Sequence, residues 1–395
     1  MTTLAVVGAS LAGLSAVRAA RAQGFDGRIV VIGEEEHQPY DRPPLSKAFL
    51  NGTMGEADLS LEDPSEDLQA DWMLGRRALQ LDTSTRSLWL DRGEEVRADH
   101  VLVATGARPR RMPISGAELS GIHYLRTLED ARALKSALRP GKRLVVVGAG
   151  WIGAEIASTA KDLGLEVTVL EVASVPLAGP LGTTMGTVVG ALHAQHGVDL
   201  RTGITIDHFE GKDDRVTAVE LADGSVIPAD LVVVGIGAVP NVGWLADTDL
   251  DLSNGVICDR VGRTSIPHVS AVGDCAAWMD AAYGLHRRIE HWTGALERPA
   301  VAVAHLLGTG ADTKPVAPPY FWSEQYGVRL QFAGASSSAT SLTWEVGGPE
   351  EDSFLVVYWE GEEPIGVLGA NCVRPFTKWR KTIAAKDIEW CAKNG

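Results

Sequence analysis

Apolar residues fall in short continuous runs separated by stretches of helical spacing. The run that ends at Val7 and the run Arg28-Ile-Val-Val-Ile32 flank such a stretch, so residues 1–33 predict strand, helix, strand. The same rhythm returns in the run that ends at Val147 and in Glu166-Val-Thr-Val-Leu170. Between these units, a stretch rich in Asp, Glu and Ser, roughly 51–71, predicts a surface path. Residues 86–104 alternate as a hairpin does and end in Asp99-His-Val-Leu-Val-Ala-Thr-Gly-Ala-Arg-Pro109, a buried strand that meets a Gly/Pro turn. Pro109, Pro113 and Gly116 then break the chain, which suits a crossing between domains.

Residues 113–240 carry the second unit and end in Asp230-Leu-Val-Val-Val-Gly-Ile-Gly-Ala-Val-Pro240, a counterpart of the segment that closes at Pro109. The halves read as an internal duplication with a period longer than any solenoid repeat. A strand returns at Val269-Ser-Ala-Val-Gly-Asp274, and a helix is predicted over about 292–307. Pro315, Pro318 and Pro319 mark a linker. Beyond it several short strands fill 320–375, and a helix closes the chain near 376–391.

The turns inside the two units carry the chemistry. The first reads Val-Val-Gly-Ala-Ser-Leu-Ala-Gly over 6–13, and the second reads Val-Val-Gly-Ala-Gly-Trp-Ile-Gly over 146–153, starting 140 residues later. A pyrophosphate needs backbone donors and the positive end of a helix dipole, so the chain must turn tightly into a helix with very small side chains. Gly8 and Gly13 supply the outer positions of the first turn, with Ser10 at the middle one. Gly148, Gly150 and Gly153 complete the second. Glu34 and Glu171 close the second strand of each unit, where a carboxylate binds ribose hydroxyls. Two such cradles predict two dinucleotides side by side, as hydride exchange between them requires.

With 395 residues and 45% hydrophobic composition, the chain has room for two or three domains. A net charge of −15 argues against nucleic acid and anionic membrane surfaces as partners. No apolar run reaches the roughly 18–20 residues of a membrane span. The N-terminus enters a strand almost at once, without a basic leader, so a cytoplasmic location is expected. Cys258, Cys275, Cys372 and Cys391 form no short pair, so neither a redox dithiol nor a zinc site is expected.

Several segments together resemble the FAD- and NADH-dependent ferredoxin reductases of oxygenase and cytochrome P450 electron chains. They are Pro39-Tyr-Asp-Arg-Pro-Pro-Leu-Ser-Lys47, Ala104-Thr-Gly-Ala-Arg-Pro109, Leu125-Arg-Thr-Leu-Glu-Asp130, Gly235-Ile-Gly-Ala-Val-Pro-Asn241, Ala271-Val-Gly-Asp-Cys275 and Tyr320-Phe-Trp-Ser-Glu-Gln325. The resemblance implies an α/β fold of the glutathione-reductase type: two Rossmann-like dinucleotide-binding domains plus a C-terminal α+β domain. The FAD domain would take 1–112 and 241–315, the NAD domain 113–240, and the last domain 316–395.

The resemblance also assigns roles. Gly8, Ser10, Ala12, Gly13 and Glu34 would hold the ADP part of FAD, with Ala78 meeting the adenine through its backbone. Arg42 and Lys47 would lie near the pyrophosphate and the isoalloxazine, Arg126 would contact FAD, Asp274 would bond the ribityl chain and Trp292 would lie by the ring. Glu155 would sit near the nicotinamide amide, although a first-turn glutamate also simply complements a helix dipole. Lys47 and Glu155 are the candidate catalytic pair. Ile152, Gly237 and Trp322 join the cofactor-binding positions. Glu171, followed by Val172, Ala173 and Ser174 with no arginine, favours NADH over NADPH.

The implied partner is a [2Fe–2S] ferredoxin. Arg374, Lys378, Arg380 and Lys381, or Arg108, Arg110 and Arg111, could steer it, or could simply be a solvated helix face and a charged turn. Rubredoxin, a quinone-like molecule and monodehydroascorbate are rival acceptors. An NADH-switched interaction protein similar to apoptosis-inducing factor is the alternative outside electron transport. Ser10, Glu324 (where aspartate is common) and His291, whose role is unassigned, depart from the family pattern.

Overall fold

The computed structural model describes residues 1–280, 284–310 and 317–394, with side chains through Ala385. Pro315 and the side chain of Cys391 lie outside the described residues.

Each predicted unit builds its own five-stranded parallel sheet. In the first, the order is Val269–Ala271, His100–Val103, Thr3–Val7, Arg28–Ile32, Ala70–Met73. In the second it is Asp199–Thr202, Glu166–Glu171, Arg143–Val147, Leu231–Val234, Ile122–His123. The central strands are fully apolar because helices or antiparallel strands cover both faces: Leu4, Val6, Val30 and Leu102 in one sheet and Val146, Val169 and Val233 in the other are all buried.

The two sheets are joined by two crossings that lie side by side. Ala107–Pro109 pairs antiparallel with Ala238–Pro240. The Thr105 hydroxyl donates to the Asn241 carbonyl at 2.6 Å, and the Asn241 amide donates back to the Thr105 carbonyl at 3.1 Å. The segments read as counterparts in sequence therefore meet in space as one ribbon.

The C-terminal strands form an antiparallel sheet in the order Tyr320–Gln325, Val328–Gly334, Glu363–Ala370, Phe354–Glu360, Ser341–Val346. The strand Phe354–Glu360 is apolar on both faces. Leu355 and Val357 pack under the helix Val373–Asn394 with Phe376 and Ile383, whereas Phe354, Val356 and Tyr358 face Leu181, Met185 and Val189. Those three belong to the helix Ala178–Gln195 of the second unit, so the last sheet is clamped between its own helix and a helix of its neighbour. Each large side chain so buried contributes about 1.5–3 kcal/mol.

Candidate functional site

The first cradle explains why its glycines stand where they do. Gly8 has φ +125°, and its amide donates to the Ile32 carbonyl at 2.7 Å. A Cβ on Gly8 would lie 2.0 Å from the Ala104 carbonyl oxygen, and one on Gly13 would lie 1.9 Å from that of Gly8. The second cradle repeats this. A Cβ on Gly148 would meet the Gly235 oxygen at 2.4 Å, and one on Gly153 would meet that of Gly148 at 2.0 Å. The outer glycines thus let helix, strand and crossing pack together. At the middle position, a Cβ on Gly150 meets nothing within 4 Å. That openness explains how Ser10 fits in the first cradle. Its backbone is extended, its hydroxyl does not cap the helix, and its oxygen accepts from Arg42 Nε at 3.3 Å. Ala12, the second residue of the same helix, is buried.

A cleft of about 780 Å³ opens in front of this cradle, within the roughly 300–1,000 Å³ range of ligand pockets. Gly8, Ser10, Glu34, Arg42, Ala78 and Arg126 all line it. Sequence reading missed Arg76, Arg77 and Trp244, which also line it, and Arg108, read there as a docking or turn residue, lines it too. They come from the loop before Ala78, the crossing strand Ala107–Pro109 and the 3₁₀ turn Gly243–Leu245, and only the fold gathers them.

Two carboxylates divide the acidic work. Glu34 stays exposed, 4.0 Å from Arg77. Glu35 instead anchors the cleft floor, accepting from Arg42 at 2.6 Å and from the Tyr40 hydroxyl at 2.5 Å. Burial, opposed by Arg42, pushes the Tyr40 phenol well above its ordinary value, so it remains a donor. Arg42 also donates to the Arg126 carbonyl at 2.6 Å, and the Arg126 guanidinium pairs with Asp274 at 2.7 Å. Beside them the capping box Thr127–Asp130 starts the helix Leu128–Ala137 at the cleft edge.

Lys47, Trp292 and Trp322, which do not line the cleft, stand where the second and third units meet the first. Lys47 follows the 3₁₀ turn Pro43–Ser46 and pairs with Glu155 at 2.8 Å, its side chain 17% exposed and that of Glu155 3%. Glu155 lies past the first turn of the helix Trp151–Asp162, so the reading of it as a first-turn glutamate complementing the helix dipole does not hold. The Trp292 indole donates to Asp41 at 2.8 Å, and burial raises the Asp41 carboxyl. Trp322 meets Trp292 edge-on with centroids 5.8 Å apart. His291 packs on Phe321 at 5.0 Å, and Phe321 on Trp151, the first helical residue of the second cradle, at 4.5 Å. Burial holds the His291 imidazole down at about 4, and its buried Nδ1 has no partner.

At the second cradle, Glu171 accepts from the Ala149 amide at 2.8 Å and the Ala173 amide at 2.9 Å, fixing the loop to the strand end. Ile152 and Val172 beside it are exposed. The Gly237 carbonyl accepts from the Arg110 amide in the crossing. Among the described residues, Cys258, Cys275 and Cys372 are buried free thiols, and burial raises the first two. Asp207, His208 and Glu220 form the cluster of metal-type side chains among the described residues. Its imidazole nitrogens face different carboxylates, Asp207 at 2.9 Å and Glu220 at 3.6 Å.

These residues fit a flavin dinucleotide: a small-residue helix N-terminus opens on a cleft lined by arginines, and the buried, unpartnered Nδ1 of His291 adjoins the tryptophan pair. Two dinucleotide cradles with a buried Lys–Glu pair between them define the class of two-nucleotide redox flavoproteins.

Comparison with known proteins agrees. The profile described as "Pyridine nucleotide-disulphide oxidoreductase" matches residues 2–298, and "Reductase C-terminal" matches 320–390. Rhodocoxin reductase of Rhodococcus erythropolis is 35% identical over 386 residues, covering 97% of this chain and 90% of that one. The ferredoxin–NAD(+) reductase component of the biphenyl dioxygenase system of Paraburkholderia xenovorans is 40% identical over 333 residues, covering 84% and 81%. A rubredoxin–NAD(+) reductase of Pseudomonas putida is 34% identical over 357 residues, covering 90% and 92%. The solved covalent putidaredoxin reductase–putidaredoxin complex superposes with TM-score 0.93 at 32% identity, covering 97% of this chain and 93% of that one. The chain belongs to the pyridine nucleotide-disulphide oxidoreductase family and carries its reductase C-terminal domain.

Proposed function

We propose that this chain is an NADH-dependent FAD reductase that passes electrons to a [2Fe–2S] ferredoxin serving an oxygenase or a cytochrome P450. The Lys47–Glu155 pair, its carboxylate buried, carries this reading, because it joins the flavin side of the molecule to the helix that starts at the NADH cradle. In this reading residues 1–112 and 241–315 hold FAD, 113–240 hold NADH, and 316–395 complete the site. FAD, when bound, accepts a hydride and releases electrons singly.

The chain's own residues bind and orient. The first helix N-terminus with Arg42 holds the pyrophosphate, Glu34 the ribose and Arg126 the flavin. Asp274 would support the ribityl chain, and the Lys47 ammonium would stabilise the negative charge that develops on the flavin. Glu171 takes the NADH ribose and repels a 2′-phosphate. The tryptophans and Phe321 exclude water from the ring end. No side chain needs to move a proton in hydride transfer.

The lack of a cysteine pair near Lys47 favours direct transfer from flavin to acceptor. Arg374, Lys378 and Lys381 are exposed on the last helix, and Arg380 covers the Tyr320 ring at 4.0 Å, so this face can meet an acidic ferredoxin despite the net charge of −15. No helix among the described residues is long and apolar enough to cross a membrane. The reading places the reaction in the cytoplasm, where NADH is regenerated and thiols stay reduced.

Anaerobic mixing with NADH is expected to bleach the bound flavin within the time of a turnover. Added ferredoxin should then reoxidise it at a rate that falls with salt. Protein that stays colourless after reconstitution with FAD overturns the reading. Rubredoxin is the second reading, raised by the Pseudomonas putida relative, and a higher kcat/KM with rubredoxin than with any ferredoxin would select it. Slow ferricyanide reduction with a long-lived charge-transfer band would point instead to an NADH-switched interaction protein.

A further inference from the structure

Glu155 is a carboxylate almost sealed from water, and three segments far apart in sequence supply its donors. Its Oε2 accepts from the Ser46 hydroxyl at 2.5 Å and from Lys47 Nζ at 2.8 Å. Its Oε1 accepts from the Ser323 hydroxyl at 2.8 Å. Behind Ser323, the Gln325 amide donates to the serine oxygen at 3.0 Å, which turns the serine proton toward Glu155. Ser323 and Gln325 are fully buried, whereas Glu324 between them is exposed, as alternation along a strand requires. The same helix face is fastened twice more. The Thr159 hydroxyl donates to the Ser46 carbonyl at 2.9 Å, and the Tyr326 amide donates to Ser158 at 2.7 Å.

We infer that the C-terminal sheet takes part in the redox site through Ser323, a positioning residue that, backed by Gln325, fixes Glu155 and thereby fixes where its ion-pair partner Lys47 stands relative to the flavin. The inference rests on the reading of Lys47 and Glu155 given above. A buried carboxylate needs compensation by several donors. With Ser323 on one oxygen and Ser46 on the other, Lys47 is not the sole source of that compensation. Without Ser323, Oε1 is left buried and bare, and the carboxylate is free to turn, carrying the ammonium bonded to Oε2 away from the flavin edge. The reduced ring then loses part of its stabilising cation.

The test compares Ser323→Ala, Ser323→Thr and Gln325→Leu in the holoenzyme, with Lys47→Ala and Glu155→Gln as references. The readouts are the midpoint potential of bound FAD, by dye-coupled reduction, and the rate of flavin reduction by NADH. S323A is expected to move the potential to more negative values and to slow flavin reduction about tenfold, with the NADH KM changed less than twofold. Q325L should move both in the same direction by less. S323T keeps the hydroxyl and should restore the rate to within twofold of the parent. An unchanged potential and rate in S323A and Q325L, while K47A or E155Q shifts them, overturns the role of Ser323 alone. Unchanged values in K47A and E155Q overturn the underlying reading of the pair, and this inference with it.

Discussion

The sharpest consequence of the cradle geometry concerns Gly13→Ala. The added Cβ would sit 1.9 Å from the Gly8 carbonyl oxygen and 3.5 Å from Val6 Cγ1, while real contacts of this kind stay beyond about 3.0 Å. The first turn of the helix Leu11–Ala22 must therefore retreat by about 1 Å from the turn that feeds it. Overpacking of this size costs about 1–3 kcal/mol of stability. Function suffers separately. Backbone amides that reach a pyrophosphate at about 2.9 Å would stand about 1 Å farther off, beyond hydrogen-bond range. Each charge-assisted bond lost costs about 1.5–3 kcal/mol, or roughly tenfold to a hundredfold in affinity.

G13A is expected to fold, to purify with much less than one FAD per chain by absorbance, and to release flavin at least about tenfold more readily in dialysis. Gly150→Ala is the control: its Cβ meets no protein atom within 4 Å, so the protein should stay yellow, with any defect confined to the NADH KM. A fully flavinated G13A with a parental dissociation constant would refute the claim that this glycine exists to let helix and turn approach.

Three further outcomes follow from geometry described above. Glu171→Ala removes the acceptor of two loop amides, and the NADH KM should rise about tenfold while the preference over NADPH narrows; steady-state assays with both nucleotides check it. His193, buried against the Tyr326 hydroxyl at 2.7 Å, is held by burial at about 4 instead of 6.5. The unfolded chain therefore takes up a proton below pH 6.5 that the folded chain refuses until about pH 4, and stability falls with falling pH by about 2–3 kcal/mol near pH 4.5. His193→Asn should remove that part of the slope in denaturant titrations at pH 7 and 4.5, and an unaltered slope contradicts the assignment. Thiol-blocking reagents applied to the native protein should leave NADH-driven flavin reduction intact, because Cys258 and Cys275 are buried and unionised; inhibition by labelling of either would bring back a thiol relay.

What could be read from the chain alone was whatever local sterics dictate. Gly13 and Gly153 each answer to the carbonyl oxygen of the glycine five residues before, so that part of the motif states its purpose without a fold, whereas Gly8 and Gly148 answer to Ala104 and Gly235 far along the chain. The helix Ala178–Gln195 escaped that reading. Its glycines and threonines are poor helix formers, and it begins after Leu177 in a left-handed conformation and kinks at Gly182. Tertiary packing explains the composition: a Cβ on Gly186 would lie 2.4 Å from the Pro176 oxygen, and one on Gly190 2.5 Å from the Pro176 ring. The division of labour between Glu34 and Glu35 was hidden for another reason. Adjacent carboxylates look alike until Arg42 and Tyr40 arrive from the next turn to claim one of them. Ser323 lies 168 residues from Glu155, and no periodicity encodes a partner at that distance.

The paired crossings also shape how the molecule assembles. Val269–Ala271 must find His100–Val103, and Val101 and Val269 are 168 residues apart. Pairing of Ala107–Pro109 with Ala238–Pro240 brings the two ends of the central segment into one ribbon. The outstanding chain is then about fivefold shorter, which lowers the entropic cost of closure by about 1.4 kcal/mol and speeds the search about tenfold. The insert that interrupts the N-terminal fold is thus also the clasp that lets it close.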